Sequence, residues 1–322
     1  MKTFEYTRPE SIDDAIGLMN ASTRPIAGGT DLLTLMKEGI QEPEHLLDIK
    51  RLPGLGAEIQ ADGGEVRIGA LATLSDLEKS EDIRRHLPAL AEAASLAASP
   101  QLRNMATIGG NVLQRPRCWY FREHLVPCWL KGGETCFARE GENRYHAVYD
   151  VSPCVATHPS DLAPVLVAYD ARILIRDGAG DGEILAGEFF QAPEERRRIE
   201  HVLPEDAVIT GIRIPLPSAD VRSRYLKAMD RKAWAFALAG VAVMLEMRDG
   251  VIADSRIVLG GVAPVPRRAT DAEHMLLGSR LTPELAEETA DAAVAKMTPL
   301  AHNGYKVPLV RALVKQALEE MV

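Results

Sequence analysis

The pattern of apolar and polar residues predicts that the chain begins with a small α/β unit. After a capping-box pattern at Ser11–Asp14, apolar residues recur at the spacing of one helix face. A second helix is predicted from Asp31 to Lys37, and a short strand over Leu46–Ile49. With short extended segments before each helix, residues 1 to about 55 are predicted to form strand, helix, strand, helix, strand.

A second region of mixed strands and helices follows the turn signals at Gly54–Gly56 and Asp62–Gly64. An alanine-rich helix within it ends at Ser99-Pro100, because a residue before proline disfavours the helical conformation. The predicted elements are, in chain order, a strand at Val66–Ile68, a capping box at Ser75–Glu78, a helix over Ala89–Ala98, helical spacing over Ser160–Ala168, and strands at Arg172–Ile175 and Val208–Ile214.

The last region opens with Tyr225–Lys227 and predicts a sheet followed by helices. Two apolar runs flank Asp249-Gly250, a strong hairpin signal. The predicted elements are strands over Phe236–Met247 and Val251–Leu259 and helices over Thr270–Leu277, Pro283–Lys296 and Val307–Met321. We therefore predict an α+β chain divided at residues 1–56, 57–218 and 222–322.

Charge and composition narrow the functional classes. The formal charge of −9 argues against nucleic-acid binding, which requires a basic face. No apolar run reaches membrane-spanning length, so no membrane insertion is expected. The N-terminus shows neither a signal peptide nor a twin-arginine pair, which predicts a cytoplasmic protein unless a signal-bearing partner exports it.

Two glycine turns are the first candidates for a binding site. Gly28 and Gly29 lie between the strand ending at Ala27 and the predicted helix, where Thr30 is expected to cap the first turn. Backbone N–H groups at such a turn can bind phosphate or pyrophosphate, although one short glycine motif also occurs in ordinary strand-to-helix connections. A second turn of the same type, Ala106–Asn111, favours the binding interpretation.

All four cysteines lie in one stretch, Val112–Ala156, which has no sustained hydrophobic period. Their spacing, C-x9-C-x7-C-x17-C, lacks the close pairs typical of structural zinc sites, and nothing suggests a disulfide-forming compartment. Spacing alone leaves zinc and an iron–sulfur cluster about equally favoured, with scattered free thiols a weaker alternative. Trp119 and Trp129 could shield a cluster or simply pack the loop. His146 and His158 could be donors next to a cluster, but they are more typical of solvated loop residues.

Several separated motifs in one order resemble a known family. Four motifs are similar to those of the FAD-binding medium subunit of the xanthine oxidase family of molybdenum hydroxylases. They are Ile26–Leu32, Thr107–Asn111, Pro159–Leu162 and Tyr225–Lys227. The resemblance covers essentially the whole chain. It implies a two-part FAD-binding domain, made of a small α/β subdomain and an α+β subdomain, followed by a C-terminal domain of strands and helices like that of CO dehydrogenase flavoproteins.

The stretch between the second glycine turn and the Pro159 motif is longer than in most relatives, and the extra residues contain the four cysteines. They resemble the subgroup whose flavin subunit carries an extra [4Fe–4S] cluster, which includes bacterial aldehyde oxidoreductases and 4-hydroxybenzoyl-CoA reductase. Gln114–Phe121 and Glu142–Ala147 look more like the aldehyde oxidoreductase branch.

The resemblance implies cofactor-binding residues but assigns no catalytic residue. The first turn would hold the FAD pyrophosphate, the second turn would contact the cofactor from the second subdomain, and one carboxylate and one lysine would lie at the flavin. The implied FAD residues are Ala27, Gly28, Gly29, Thr30, Asp31, Leu32, Thr107, Ile108, Gly109, Gly110, Asn111, Asp161 and Lys227, and the implied cluster ligands are Cys118, Cys128, Cys136 and Cys154.

The function implied is that of an electron-transfer subunit in a heterotrimeric molybdenum enzyme. Its partners would be a small [2Fe–2S] subunit and a large molybdenum-cofactor subunit, and a ferredoxin-like carrier is a possible acceptor. Reversed electron flow, as in 4-hydroxybenzoyl-CoA reductase, is one alternative. A zinc-stabilised scaffold without catalytic function and a self-contained FAD oxidase are the others.

Overall fold

The computed structural model describes residues 1–322, and its first unit is a parallel three-stranded sheet in the order β1-β3-β2. Leu46 and Leu47 of the central strand are buried, which explains why the short apolar run forms the middle of the sheet. The elements are β1 (Glu5–Thr7), α1 (Ile12–Gly17), β2 (Thr23–Ile26), α2 (Leu32–Lys37) and β3 (His45–Asp48). The predicted order of five elements is confirmed.

The second unit is built on an antiparallel five-stranded sheet in the order β4-β5-β8-β6-β7. Ile68, Ile212 and Ile173 are paired across three neighbouring strands and are fully buried, so β-branched side chains form one face of the core. The strands are β4 (Ile59–Asp62), β5 (Glu65–Gly69), β6 (Arg172–Asp177), β7 (Gly180–Leu185) and β8 (Val208–Pro215).

Helices of the second unit cover this sheet, and one of them, at Trp119–Arg122, directly follows Cys118 in the chain. Every residue of α9 is buried, which places that helix in the middle of the largest apolar core. The helices are α3 (Leu74–Lys79), α4 (Glu81–His86), α5 (Pro88–Leu96), α6 (Pro100–Arg103), α7 (Ile108–Val112), α8 (Trp119–Arg122), α9 (Leu162–Ala168) and α10 (Ala186–Phe189).

The third unit is an antiparallel sheet in the order β12-β11-β10-β9, covered by three helices. Asp249 and Gly250 have φ of 50° and 76°, as a tight hairpin requires, so the predicted turn is confirmed. The elements are β9 (Val221–Ala228), β10 (Ala239–Arg248), β11 (Val251–Gly260), β12 (Arg267–Arg268), α11 (Thr270–Leu276), α12 (Pro283–Val294) and α13 (Lys306–Glu319).

Two predicted helix caps are wrong. The capping box lies at Thr73 and Asp76 rather than Ser75–Glu78, because Ser75 is already inside α3 and buried. Thr30 does not cap α2: Asp31 occupies the N-cap position, and its side chain makes no capping bond. The Asp31 carboxylate is held instead by residues distant in sequence, as described below.

The stretch 112–156, named here the cysteine segment, has little regular structure. It contains only the end of α7, the single turn of α8 and a 3₁₀ turn at Trp129–Lys131. It packs on the first unit through Leu35 of α2, and it reaches the third unit where Asn303 donates to the carbonyl of Ala147 at 2.9 Å. The segment therefore contacts all three units.

None of the helices, whose bounds are given above, is long and apolar enough to cross a membrane.

Candidate functional site

A cleft of about 410 Å³ opens where the three units meet. Both glycine turns line it, and the third unit contributes the loop Trp234–Phe236. Of the predicted cofactor residues, eleven line the cleft: Ala27, Gly28, Gly29, Thr30, Asp31, Leu32, Thr107, Gly109, Gly110, Asn111 and Asp161. Ile108 and Lys227 are not among the lining residues. The structure thus brings together residues from positions 27 to 236.

The first turn offers unsatisfied backbone donors. Gly29 has φ of 68°, a conformation that other residues adopt only under strain. A Cβ added to Gly28 would overlap the carbonyl oxygen of Met105, so the two turns touch through their backbones. The amide N–H groups of residues 27–31 donate no hydrogen bond within the chain. Because backbone donors are normally satisfied, five free amides on a cleft favour binding of an anion such as a phosphate.

The second turn is different, because its amides are already used. Thr107 caps α7, and its hydroxyl accepts from the amide of Gly110 at 3.2 Å. The amides of Ile108 and Gly109 donate to carbonyls of the loop after β5 at 2.8 and 3.1 Å. The Ile108 side chain is fully buried in the core. The second turn therefore gives the cleft a close-packed wall rather than a set of donors.

Asp161 stands at the start of α9, in a buried polar cluster. Its carboxylate accepts from Tyr225 Oη and from Lys227 Nζ, each at 2.8 Å. Burial raises the pKa of the Asp161 carboxyl, although both donors stabilise its ionised form. Lys227 Nζ also donates to the carbonyl of Leu96 at 3.0 Å. Lys227 thus acts on the cleft through Asp161, which is the member of the pair that lines it.

Asp31 lines the cleft, but its carboxylate is occupied by the cysteine segment. It accepts from the amide of Arg115 at 2.8 Å, from Arg122 Nη2 at 2.9 Å and from Arg117 Nη1. Burial raises the pKa of this carboxyl, but Arg117 and Arg122 more than offset the effect, and the pKa lies below its ordinary value. Asp31 is therefore an anionic anchor for three donors that lie far away in sequence.

Several cleft residues were missed from the sequence. Arg115, Arg117, His201, Trp234 and Phe236 all line the cleft. The arginines follow the second glycine turn within six residues, which was a signal for a cationic site. The aromatic pair gave no signal for a ligand site. Phe236 was predicted to begin a strand, but β10 begins at Ala239 and both aromatics lie in the loop before it, where Trp234 is 61% exposed and Phe236 49%.

Buried histidines lie close to both the cleft and the cysteines. Burial lowers the pKa of His158 and of His201 to about 3, so both imidazoles are neutral at physiological pH. His146 is also buried, and its Nε2 lies 3.2 Å from Cys118 Sγ. The expectation that His146 and His158 are solvated loop residues is therefore wrong, because the cysteine segment folds into a packed body.

The four cysteines are free thiols that line one small apolar cavity of about 10 Å³. Four aromatic residues also line it: Tyr120, Phe121, Trp129 and Phe137. Burial raises the pKa of the Cys118 thiol to about 12. No group of three or more His, Cys, Asp or Glu side chains is placed to hold a metal ion. The convergence of four thiols could not be read from their spacing, because it depends on how an irregular loop folds.

A cleft of this size with free amides at a glycine turn is suited to a nucleotide cofactor, whose phosphates can accept from the backbone N–H groups. Residues 2–217 match the family described as FAD binding domain in molybdopterin dehydrogenase, and residues 224–321 match the CO dehydrogenase flavoprotein C-terminal domain. The chain therefore belongs to the FAD-binding medium subunits of the xanthine oxidase family of molybdenum hydroxylases. It is thus an oxidoreductase subunit, and FAD is its cofactor.

Similar proteins cover the whole chain. The aldehyde oxidoreductase FAD-binding subunit PaoB of Escherichia coli is 37% identical, over 99% of this chain and 98% of that protein. The carbon monoxide dehydrogenase medium chain of Hydrogenophaga pseudoflava is 30% identical, over 98% of this chain and 96% of that protein. A solved structure of the Hydrogenophaga enzyme superposes with a TM-score of 0.78 over 99% of this chain and 96% of the compared chain. The predicted two-part FAD-binding fold with its C-terminal domain is confirmed.

Proposed function

We propose that this chain is the FAD- and [4Fe–4S]-carrying electron-transfer subunit of an aldehyde-oxidising molybdenum hydroxylase. Its partners in this proposal are a small [2Fe–2S] subunit and a large molybdenum-cofactor subunit, with a ferredoxin-like protein as an external acceptor. The similarity to PaoB, whose name is that of an aldehyde oxidoreductase subunit, supports the substrate class. The observation that carries the proposal is that one chain has both a cleft with five free amides and four thiols around one cavity.

In the cleft, the chain's own residues bind and orient the cofactor, and bound FAD supplies the redox chemistry. The free amides of residues 27–31 would receive the pyrophosphate, because backbone donors suit phosphate oxygens. Gly109 and Gly110 lie on the wall of the same cleft, where the absence of a Cβ on Gly109 lets the second turn pack closely against Ala70. Asp161, fixed by Lys227 and Tyr225, presents a hydrogen-bond acceptor to the same cleft.

The four thiols suit a cluster by their chemistry. Four cysteine sulfurs are the ligand set of a [4Fe–4S] cluster, and the buried apolar wall limits access of water. A cavity of about 10 Å³ has about the room of one water molecule, so the cysteine segment must open to admit a cluster. Such opening has to displace the buried side chains of Phe121 and Trp129 from the cavity wall.

The assignment as a subunit is tested by activity with and without partners. The purified chain is expected to bind FAD and to oxidise no aldehyde or purine, because in this proposal the substrate is oxidised on the large molybdenum-cofactor subunit. Activity is expected only after co-expression with a [2Fe–2S] subunit and a molybdenum subunit. Turnover of an aldehyde by the chain alone contradicts the proposal and favours a self-contained oxidase.

A further inference from the structure

We infer that Asp31 is a positioning residue that couples FAD binding at the first glycine turn to the ordering of the Cys118 region. The inference rests on the proposed place of FAD in the cleft. It adds a physical link between the cleft and the cysteine segment that neither the family assignment nor the glycine motifs contain.

The link consists of three hydrogen bonds to one carboxylate. Asp31 is one of the residues with free amides, and its side chain is 15% exposed. Arg115 donates through its backbone amide, so the bond fixes the path of the chain and not only a side chain. Arg117 and Arg122 add two guanidinium donors that carry charge, which are among the stronger hydrogen bonds in proteins.

These donors enclose the first cysteine. Arg117 precedes Cys118 directly, and the amide of Arg122 donates to the Cys118 carbonyl at 2.9 Å. Arg122 also holds the chain ahead of Cys118, since Nε donates to the Pro116 carbonyl at 2.9 Å and Nη2 to that of Arg115 at 3.1 Å. The backbone around Cys118 is thus fixed on both sides by groups that bind Asp31.

Packing makes the same connection independently. Leu35, one turn after Asp31 in α2, belongs to a buried apolar cluster with Phe121, Cys128 and Cys154. Arg115 and Arg122 both lie over the Phe121 ring, at 5.0 and 5.9 Å from its centroid. Any shift of the first glycine turn that moves α2 therefore also disturbs the wall around the thiols.

The charge of Asp31 makes the direction of the change in FAD affinity a test of its role. A carboxylate beside a phosphate site repels the ligand, so Asp31→Asn removes a repulsion and frees two guanidinium groups. If Asp31 acted only through its charge, this variant would bind FAD more tightly. If Asp31 positions the turn, the variant loses the preorganised amides and binds FAD more weakly. The two roles predict opposite changes in affinity.

Coupling of this kind is reciprocal. The free energy by which bound FAD stabilises the ordered Cys118 region equals the free energy by which ordering of that region strengthens FAD binding. FAD should therefore slow amide hydrogen exchange over residues 114–122, and loss of the Asp31 bonds should remove the slowing. Couplings between sites amount to about fivefold or more in affinity. We expect at least about a fivefold weaker affinity for FAD in Asp31→Asn.

The experiment measures FAD affinity by fluorescence titration and hydrogen exchange by mass spectrometry on the full chain. Asp13→Asn is the matched control. Asp13 accepts from Arg176 at 2.8 Å and so also joins the first and second units, but it lies outside the cleft. The control should keep wild-type affinity and wild-type slowing over residues 114–122. Asp31→Glu, which retains the charge and the acceptor, should recover part of both.

Unchanged or tighter FAD binding in Asp31→Asn overturns the inference. The wild-type chain gives a second test that needs no variant: saturating FAD that leaves exchange over residues 114–122 unchanged overturns it too. Failure of the wild-type chain to bind FAD contradicts the proposed function itself. The two failures are therefore distinguishable.

Discussion

Lys227 Nζ lies 2.8 Å from Asp161 Oδ2, and the two side chains are 0% and 6% exposed. The pair joins β9 of the third unit to the start of α9 in the second. Tyr225 Oη and the Leu96 carbonyl complete the hydrogen bonding of the two charged groups. Two units are thus held together at the cleft by charges that are buried and compensated.

Lys227→Met should strongly destabilise the protein, because it leaves the Asp161 carboxylate buried without its counter-charge. Removing one partner of a buried ion pair costs about 3–5 kcal/mol in free energy of unfolding. Lys315→Met is the control, since Lys315 pairs with Glu287 at 3.0 Å on the surface and such pairs contribute about 1 kcal/mol or less. Denaturant unfolding of both variants measures the difference. Equally small decreases in the free energy of unfolding of the two variants would show that the buried pair stabilises the protein no more than a surface pair does.

Gly28→Ala should abolish FAD binding while most of the chain still folds. The added Cβ would overlap the Met105 carbonyl, so the two glycine turns would have to move apart. Gly17→Ala is the control, because a Cβ there meets no atom within 4 Å. Bound FAD per purified chain measures the effect. Full FAD content in the Gly28 variant would contradict the close approach of the two turns.

Cys136→Ser should remove a ligand of the proposed cluster. Its thiol lines the same cavity as the other three, and a hydrogen bond with Cys154 lowers the pKa of the Cys136 thiol. Iron per chain should fall towards that of a cluster-free protein, because serine is a poor replacement for a thiolate ligand. Metal analysis of wild type and variant decides the point. Equal iron content in the two proteins would exclude Cys136 as a ligand.

Lys306 should make stability depend on pH above neutrality. Burial lowers the pKa of its amine to about 7, while the unfolded chain keeps the ordinary value of 10.5. Between these values the unfolded state binds more protons, so the free energy of unfolding should rise with pH, by at most about 1.4 kcal/mol per pH unit. Lys306→Met should lack this contribution. Identical pH profiles of unfolding for wild type and variant would contradict the lowered pKa.

The sequence predicted best what depends on neighbouring residues. The hairpin at Asp249-Gly250 and the turn at Gly29 require positive φ, which is a local property of those residues. The sequence missed what depends on distant contacts. Asp31 was predicted to be the first residue of a helix capped by Thr30, but the partners of its carboxylate lie 84 to 91 positions away in the chain. The burial of His146 and the meeting of four thiols likewise follow from the path of one irregular segment.

Domain limits remain predictions, and so do the roles of individual cleft residues. The strands agree with a division near residue 56 and another near 220, since β4 begins at Ile59 and β9 at Val221. Ile108 is the predicted cofactor residue with the least structural support, because it faces the core rather than the cleft.

The most direct test of the electron-transfer role is to count cofactors on the purified chain. Visible absorbance, extracted FAD and metal analysis should give about one FAD and about four iron atoms per chain, with flavin and iron–sulfur colour that is lost on reduction. A colourless chain without FAD, or a chain with about one zinc atom and no iron, would contradict the account.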